Sequence, residues 1–488
     1  MAEGSSNSIA LFMAGSTGGI VDSMRGLESS RLLQQQVGDV DEAGKAIVGA
    51  QDSFPSSDWS QLQQDLLISI FSRLEFPDLV HSGVVCVPWY LSYSAVRRLR
   101  LCSPNQSPYI VYSSGDREIN AATLHNLSTN KMYHVSLPDP PFITRHVIGS
   151  SHGWLVTADE QSNLLLLNPI TGAQIALPPA ESIEGVRASF TAAGVRSGYT
   201  ICYLHLKSRS ADEYTYKFFD AKETRLFLYD KAVLSSDPSS RNCTILLKHR
   251  PLEHLSFARI GDTKWTWIDT LERCCYYDDI FYNDHDNLFY AIRSSGEIHT
   301  IDISCQSPVV RVVLNVLPSI TCSSRYILQA SWGDLLQVLR QYGPVPERDN
   351  QDSDDEYQSN EEPYSDEDLE VDVEDSEDDL GVNLEFDKVT VHMVDLAEQK
   401  VIEISNLRDH ILFIGFNRSF MVHAQDFPNL SPNCVYVTDD NKTYIHYSPF
   451  SGRRFGYLNL EDASLTELSF SDGLLHWPPP VWFRPHHT

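Results

Sequence analysis

The chain has 488 residues, 42% of them hydrophobic and 21% charged, the composition of an ordinary globular protein with room for two or three domains. Its formal net charge is −29, of which −17 falls in one run, Glu347–Asp379, where 18 acidic residues stand against one arginine; the rest of the chain carries −12. Binding to phosphate backbones or anionic lipid depends on Lys and Arg neutralising charge, so this balance argues against nucleic acid and membrane as partners.

No stretch approaches the roughly 20 apolar residues that a membrane span needs. Ser8–Ile20 is weakly apolar but follows Glu3 and no basic segment, so no signal peptide is expected. The nine cysteines form no CxxC pair, and they are read as reduced, mostly core-filling thiols of a protein in the cytoplasm or nucleus.

Residues 1–55 are rich in Gly and Ser with scattered charge, and a disordered leader is expected there. Within it, Gly38–Lys45 has a superficial likeness to a phosphate loop. Its spacing is one residue too long, Ala46 stands where a Ser or Thr would hold Mg²⁺, and Asp39, Asp41 and Glu42 repel phosphate.

Helical patterning follows over 56–101. From Trp59, the residues Leu62, Leu66, Leu67, Ile70, Phe71 and Leu74 recur on one face of a 3.6-residue period, and Ser60 with Gln63 has capping-box spacing. Phe76-Pro77-Asp78 breaks the pattern, Leu79, Val80, Val84 and Val85 give a second stripe, and Pro88 suits the first turn of a third helix. Three short helices in some forty residues bury little apolar surface alone, so such a module is expected to need a partner.

From 102 to 488 the pattern changes to short Val-, Ile-, Tyr- and Leu-rich runs between Gly, Asn, Asp and Pro turns. A degenerate repeat runs through them. Leu124-His125-Asn126 is followed by Thr129-Asn130 and Leu137-Pro138; Leu166-Leu167-Asn168 is followed by Thr171-Gly172 and Leu177-Pro178. Looser copies end at Asp302, Asp395 and Asn459, with Tyr229-Asp230 and Trp267-Ile268-Asp269 as weaker ones. The 42-residue step from 126 to 168, and 134 residues from 168 to 302, resemble one and three multi-strand units. The fold expected is mainly β with a small α domain: a β-propeller of six to eight blades, the alternative being a pair of β-sandwiches.

The acidic run sits within this region, between strand-like Leu335–Leu339 and Val389–Val394. Residues 344–382 thus read as an insertion in one inter-strand loop, too poor in apolar residues to fold. Ser353, Ser365 and Ser376 each precede three acidic residues and are candidate phosphorylation sites; a purely solubilising loop, or one that attracts a basic surface, is the alternative. No catalytic or metal-ligating residue is singled out. Ser150-Ser151-His152-Gly153-Trp154 lacks a third group to hold the base and an oxyanion site, and reads as a turn followed by a strand whose indole packs between blades.

The order Asp58-Trp59-Ser60-Gln61-Leu62, Asp65-Leu66-Leu67, Ile70-Phe71-Ser72-Arg73-Leu74, Pro77-Asp78-Leu79-Val80 and Val85-Cys86-Val87-Pro88-Trp89 resembles the F-box. It departs at Gln63, where the family has Pro, and at Tyr90, where Arg is usual. The remainder is similar to plant F-box proteins with a propeller-like C-terminal domain of formerly unknown function. The residues that carry this likeness are Gly149–Val156, Leu167–Gly172, Tyr290-Ala291-Ile292, Gly333–Val338, Leu412–Gly415, Asn433–Tyr436 and Trp482–Pro485.

The resemblance implies a substrate-recognition subunit of an SCF-type ubiquitin ligase, without enzyme site or cofactor. Its F-box would bind a Skp-type adaptor, and through it a cullin scaffold, and its propeller would hold a protein target. The adaptor contacts it implies are Leu62, Leu66, Leu67, Ile70, Leu74, Pro77, Leu79, Val85 and Trp89. The alternative is a propeller ligand-binding protein or enzyme whose helices are only a structural cap.

Overall fold

The computed structural model describes residues 59–102, 105–115, 118–204, 214–240, 242–250, 254–269, 276–305, 307–315, 324–342, 386–438, 455–468 and 477–486. The leader, the acidic run with Ser353, Ser365 and Ser376, and Cys274, Cys275 and Cys322 lie outside the described residues. The chain divides into two compact units, Met1–Ser103 and Pro104–Thr488.

The first unit holds a 3-10 turn, Trp59–Gln61, and three helices: α1 (Gln64–Phe71), α2 (Phe76–Gly83) and α3 (Val87–Arg98). The expected capping box is absent. The helix α1 starts after Gln63, whose side chain makes no capping bond, and the Trp59 carbonyl of the preceding turn accepts the Trp89 indole N–H at 3.1 Å. Pro77 and Pro88 each sit in the first turn of their helix, where a missing N–H costs nothing; Pro77 opens α2, and the break falls at 72–75.

The second unit is a propeller. Its strands form seven sheets among the described residues, and six of them are blades. Each neighbouring pair of these six shares one apolar core, so six cores alternate with six blades around the ring. The first blade takes its inner strand, Val481–Phe483, from the far end of the chain, paired with Tyr109–Val111. At this seam Trp482 is fully buried against Phe413 and Phe455, its indole N–H donates to Ile414 O (2.8 Å), and Asn417 brackets its backbone.

The seventh sheet, Val186–Phe190, Arg196–Leu204 and Tyr214–Asp220, is an insertion between the second and third blades. Their inner strands still touch: a Cβ added to Gly149 would lie 2.1 Å from Ala232 O, so no blade intervenes. Tyr199, Ile201 and Phe219 pack on the core of those two blades, while Phe190, Tyr216 and Phe218 face outward. The 134 residues between Asn168 and Asp302 therefore hold the extra sheet as well as blades, which corrects the even spacing expected.

The repeat itself has a physical basis. The side-chain oxygens of Asn126, Asn168, Asp302, Asp395 and Asn459 each accept a backbone N–H two residues on, at 2.9–3.1 Å, closing an Asx turn where a strand ends in five different blades. The weaker copy at Tyr229-Asp230 is instead the start of an inner strand. His152 and Gly153, both at positive φ, form the two-residue hairpin turn before Trp154, whose indole is buried between the second and third blades.

The inner strands of the third, fourth and fifth blades, with the second strand of the third, carry a buried ionic net. Lys231 pairs with Asp279, whose second oxygen accepts Ile327 N–H (3.0 Å), and Lys248 pairs with Asp230 and donates to Asp278 O (3.1 Å). Removing one member strands a buried charge at a cost of about 3–5 kcal/mol.

Two outcomes follow for stability. Replacing Trp482→Ala is expected to cost roughly 3–5 kcal/mol in urea unfolding of the full chain, since it empties the seam; a loss below about 1 kcal/mol contradicts the closure described. His249 is buried, bonded to Arg250 O through Nδ1 (3.0 Å) and to Ser256 Oγ through Nε2 (2.8 Å), and burial brings its pKa down to about 4. The unfolded chain, with an ordinary histidine pKa near 6.5, binds a proton that the folded chain refuses. Stability therefore falls as pH drops from about 6.5 to 4, by at most roughly 1.4 kcal/mol per pH unit. The drop in urea midpoint across that window should shrink in His249→Gln; an equal drop contradicts it.

Candidate functional site

The helical unit builds a small core and leaves much apolar surface outside it. Leu67, Phe71, Phe76, Leu79, Ala95 and Val96 are buried where α1 and α2 meet α3. Phe71 meets the Trp89 ring edge-on at 5.4 Å, and the Arg97 guanidinium lies over Phe76 and Tyr93. Gly83 is held to glycine by contact, because a Cβ there would stand 2.8 Å from the Tyr93 ring.

Against that core stand Trp59, Leu66, Ile70, Val84, Val85, Val87, Tyr90 and Leu91, all exposed, with Leu66 and Ile70 at 49% and Val87 at 72%. Leu66 and Ile70 are one turn apart on α1, Val84 and Val85 lie in the turn before α3, and Val87, Tyr90 and Leu91 share one face of its first two turns. These eight, together with the exposed Leu99 and Leu101, are many for a unit this size, and soluble proteins keep apolar surface of that kind for a partner. Burying one Leu or Ile fully is worth about 1.5–3 kcal/mol.

The nine contact residues expected from the sequence separate into three groups. Leu66, Ile70 and Val85 are exposed and available. Leu62, Leu74 and Trp89 are half-buried. Leu67, Pro77 and Leu79 are interior, and Leu79 has no exposed surface at all. Sequence reasoning missed Trp59, Val84, Val87, Tyr90 and Leu91. The i, i+3, i+4 spacing of Val87, Tyr90 and Leu91, opposite the buried Ser92, Ala95 and Val96, was the available signal.

On the propeller, the expected turn-and-strand role of Ser150–Trp154 is what the backbone shows. His152 is kept neutral by burial, which lowers its pKa to about 4, and its ring meets that of His486 at 5.3 Å. The six described cysteines, Cys86, Cys102, Cys202, Cys243, Cys305 and Cys434, are free; burial pushes the thiols of Cys243 and Cys434 up to about 11, away from nucleophilic use at neutral pH. No helix among the described residues is long and apolar enough to cross a membrane.

Fold and site together define a propeller protein with a small helical unit that presents an apolar face. The chain belongs to the KIB1-4 beta-propeller family, whose profile matches residues 124–455. Its relatives include several F-box proteins of Arabidopsis thaliana. One is 24% identical over 291 residues, covering 59% of this chain and 69% of its own; F-box only protein 7 is 27% identical over 303 residues, covering 58% and 70%. F-box protein SKIP23 is 22% identical over 460 residues, covering 88% of this chain and 96% of its own. The propeller unit is under four-fifths of the chain, so that last similarity extends into the helical unit. The resemblance to plant F-box proteins with a propeller domain thus holds across both units.

The division of the nine residues is checkable in the full chain by limited proteolysis of residues 59–98. Leu67→Ala, which opens a cavity worth about 2–5 kcal/mol, should speed cleavage there strongly. Leu66→Ala, at a surface position, should leave it within experimental error, corresponding to about ±0.5 kcal/mol. Equal effects contradict the assignment of core and surface.

Proposed function

We propose that this protein is the target-selecting subunit of an SCF-type ubiquitin ligase. In this reading the helical unit docks a Skp-type adaptor, and through it a cullin scaffold, while the propeller holds a protein target. The single observation that supports it most is the exposed apolar face at Leu66, Ile70, Val84, Val85, Val87, Tyr90 and Leu91, on helices that carry the F-box order of residues. The similarity to F-box protein SKIP23 over 88% of the chain points the same way.

The protein supplies no reacting group in this proposal. It raises the effective concentration of target lysines beside a ubiquitin-charged partner, and orientation of that kind is worth several kcal/mol of barrier. A cytoplasmic or nuclear location belongs to the same proposal.

The test is capture of a Skp-type adaptor by the full chain, compared with Leu66→Asp, Ile70→Asp. Two carboxylates forced into an apolar contact should reduce capture at least a hundredfold, because each buried unpaired charge costs several kcal/mol. The propeller should keep its unfolding midpoint. If the wild-type chain captures no adaptor, the helices are a cap and the reading fails; undiminished capture by the double variant places the contact elsewhere.

A further inference from the structure

We propose that the turns leaving the inner strands form a site for a phosphate group at one end of the propeller axis, with Arg418 receiving it and Arg484 beside it. That a target protein bears the phosphate rests on the function proposed above; the site and its chemistry do not.

Contacts between successive inner strands fall at matching steps. Gly149 meets Ala232, Lys231 meets Asp279, and Asp279 meets Ile327, each the third or fourth residue of its strand. These strands therefore run in one direction, and the turns after them gather at one end of the axis. His152 and Gly153 leave the second blade there, Asp237 the third and Asp284 the fourth. The first and sixth blades join them. The His152 ring meets that of His486 at 5.3 Å, and a Cβ on Gly153 would lie 2.9 Å from His486 N. Asn417, the neighbour of Arg418, holds the Trp482 backbone two residues before Arg484.

Arg418 reaches toward the middle of this ring of turns. It belongs to the sixth blade, yet its charge acts on Arg484 of the first, His152 of the second and Asp284 of the fourth. Only a group near the axis is in electrostatic reach of blades so far round the ring.

The Arg418 guanidinium lies over the Phe420 ring at 5.2 Å and makes no hydrogen bond or ion pair with any described residue. The inner-strand cations are different: Lys231 pairs with Asp279, and Arg325 has Asp278 at 3.5 Å. Asp284 is exposed and stays beyond ion-pair distance of Arg418, and desolvation raises its carboxyl pKa. Asp237 acts on His152 and not on Arg418. Arg484 is anchored through Nε to Gln106 O at 3.1 Å.

Burial, with Arg484 adding to it, brings the Arg418 pKa down to about 10, so both arginines are charged at neutral pH. Two neighbouring guanidinium groups repel, and an anion between them relieves the repulsion. A planar fork of five N–H donors suits bidentate capture of an oxyanion. A phosphate group, at about −1.5 to −2, matches two arginines, where a carboxylate matches one.

The experiment is fluorescence anisotropy of a labelled phosphoserine hexapeptide with otherwise uncharged side chains, its unphosphorylated form serving as control. Inorganic phosphate is the competitor. Physiological salt confines the field of distant acidic residues to about 8 Å. The peptide is titrated with the full chain, with Arg418→Gln and with Asp284→Asn. The expected result is capture of the phosphorylated peptide alone, weakened about tenfold or more by Arg418→Gln, which removes a charged donor. Asp284→Asn should tighten it about threefold, because a nearby negative charge is gone. Should Arg418→Gln lower the unfolding midpoint, the direction of change in Asp284→Asn decides. Calorimetric binding of inorganic phosphate with the same two responses, but no capture of the peptide, assigns the site to a small phosphate instead of a protein-borne one. Binding of neither, equal binding by Arg418→Gln at an unchanged midpoint, or weaker binding by Asp284→Asn would each overturn the proposal. Adaptor capture on the same samples separates the claims: phosphate binding without capture contradicts the ligase reading alone, and capture without phosphate binding contradicts this site alone.

Discussion

Everything in the larger unit depends on a ring having no free edge. A blade is a sheet with both faces apolar, stable only when a neighbour covers each, so six blades need six shared cores and a seam that closes. Here the seam is three residues long. Val481–Phe483 pair with the strand at Tyr109, and Trp482 fills the space between first and sixth blades with its backbone held by Asn417. The buried ions along the axis depend on it in turn. Lys231, Asp279, Lys248 and Asp230 are tolerable inside the protein because each finds its partner in a fixed register, Lys231 and Asp279 across adjacent blades and Lys248 and Asp230 on neighbouring strands of the third.

Much of this was legible in the sequence, for reasons that are local. An Asn or Asp at a strand end that closes a turn with its own backbone leaves a mark every time it is used, and five blades use it. The helices were legible because their apolar period is that of a helix and because Pro77 and Pro88 stand where helices begin. The blade count was obscured by the inserted sheet at 186–220, which follows the same alternation as a blade strand and differs only in leaving Phe190, Tyr216 and Phe218 uncovered. Coverage by a neighbour is a tertiary fact with no local signature.

The same limit explains the adaptor face. Leu66 and Leu67 are adjacent, equally apolar and equally part of the helical stripe, yet one is 49% exposed and the other 1%. A helix turns 100° per residue, so which of two neighbours faces inward depends on where α3 packs.

The two units thus treat apolar surface differently: the blades bury most of theirs between neighbours, and the helical unit leaves part of its own for a partner. Amide hydrogen exchange of the full chain, with and without a Skp-type adaptor, measures that difference most directly. The account predicts added protection across α1 and from Val84 to Leu91, with the blade strands unchanged. No added protection anywhere, or protection confined to the propeller, would contradict it.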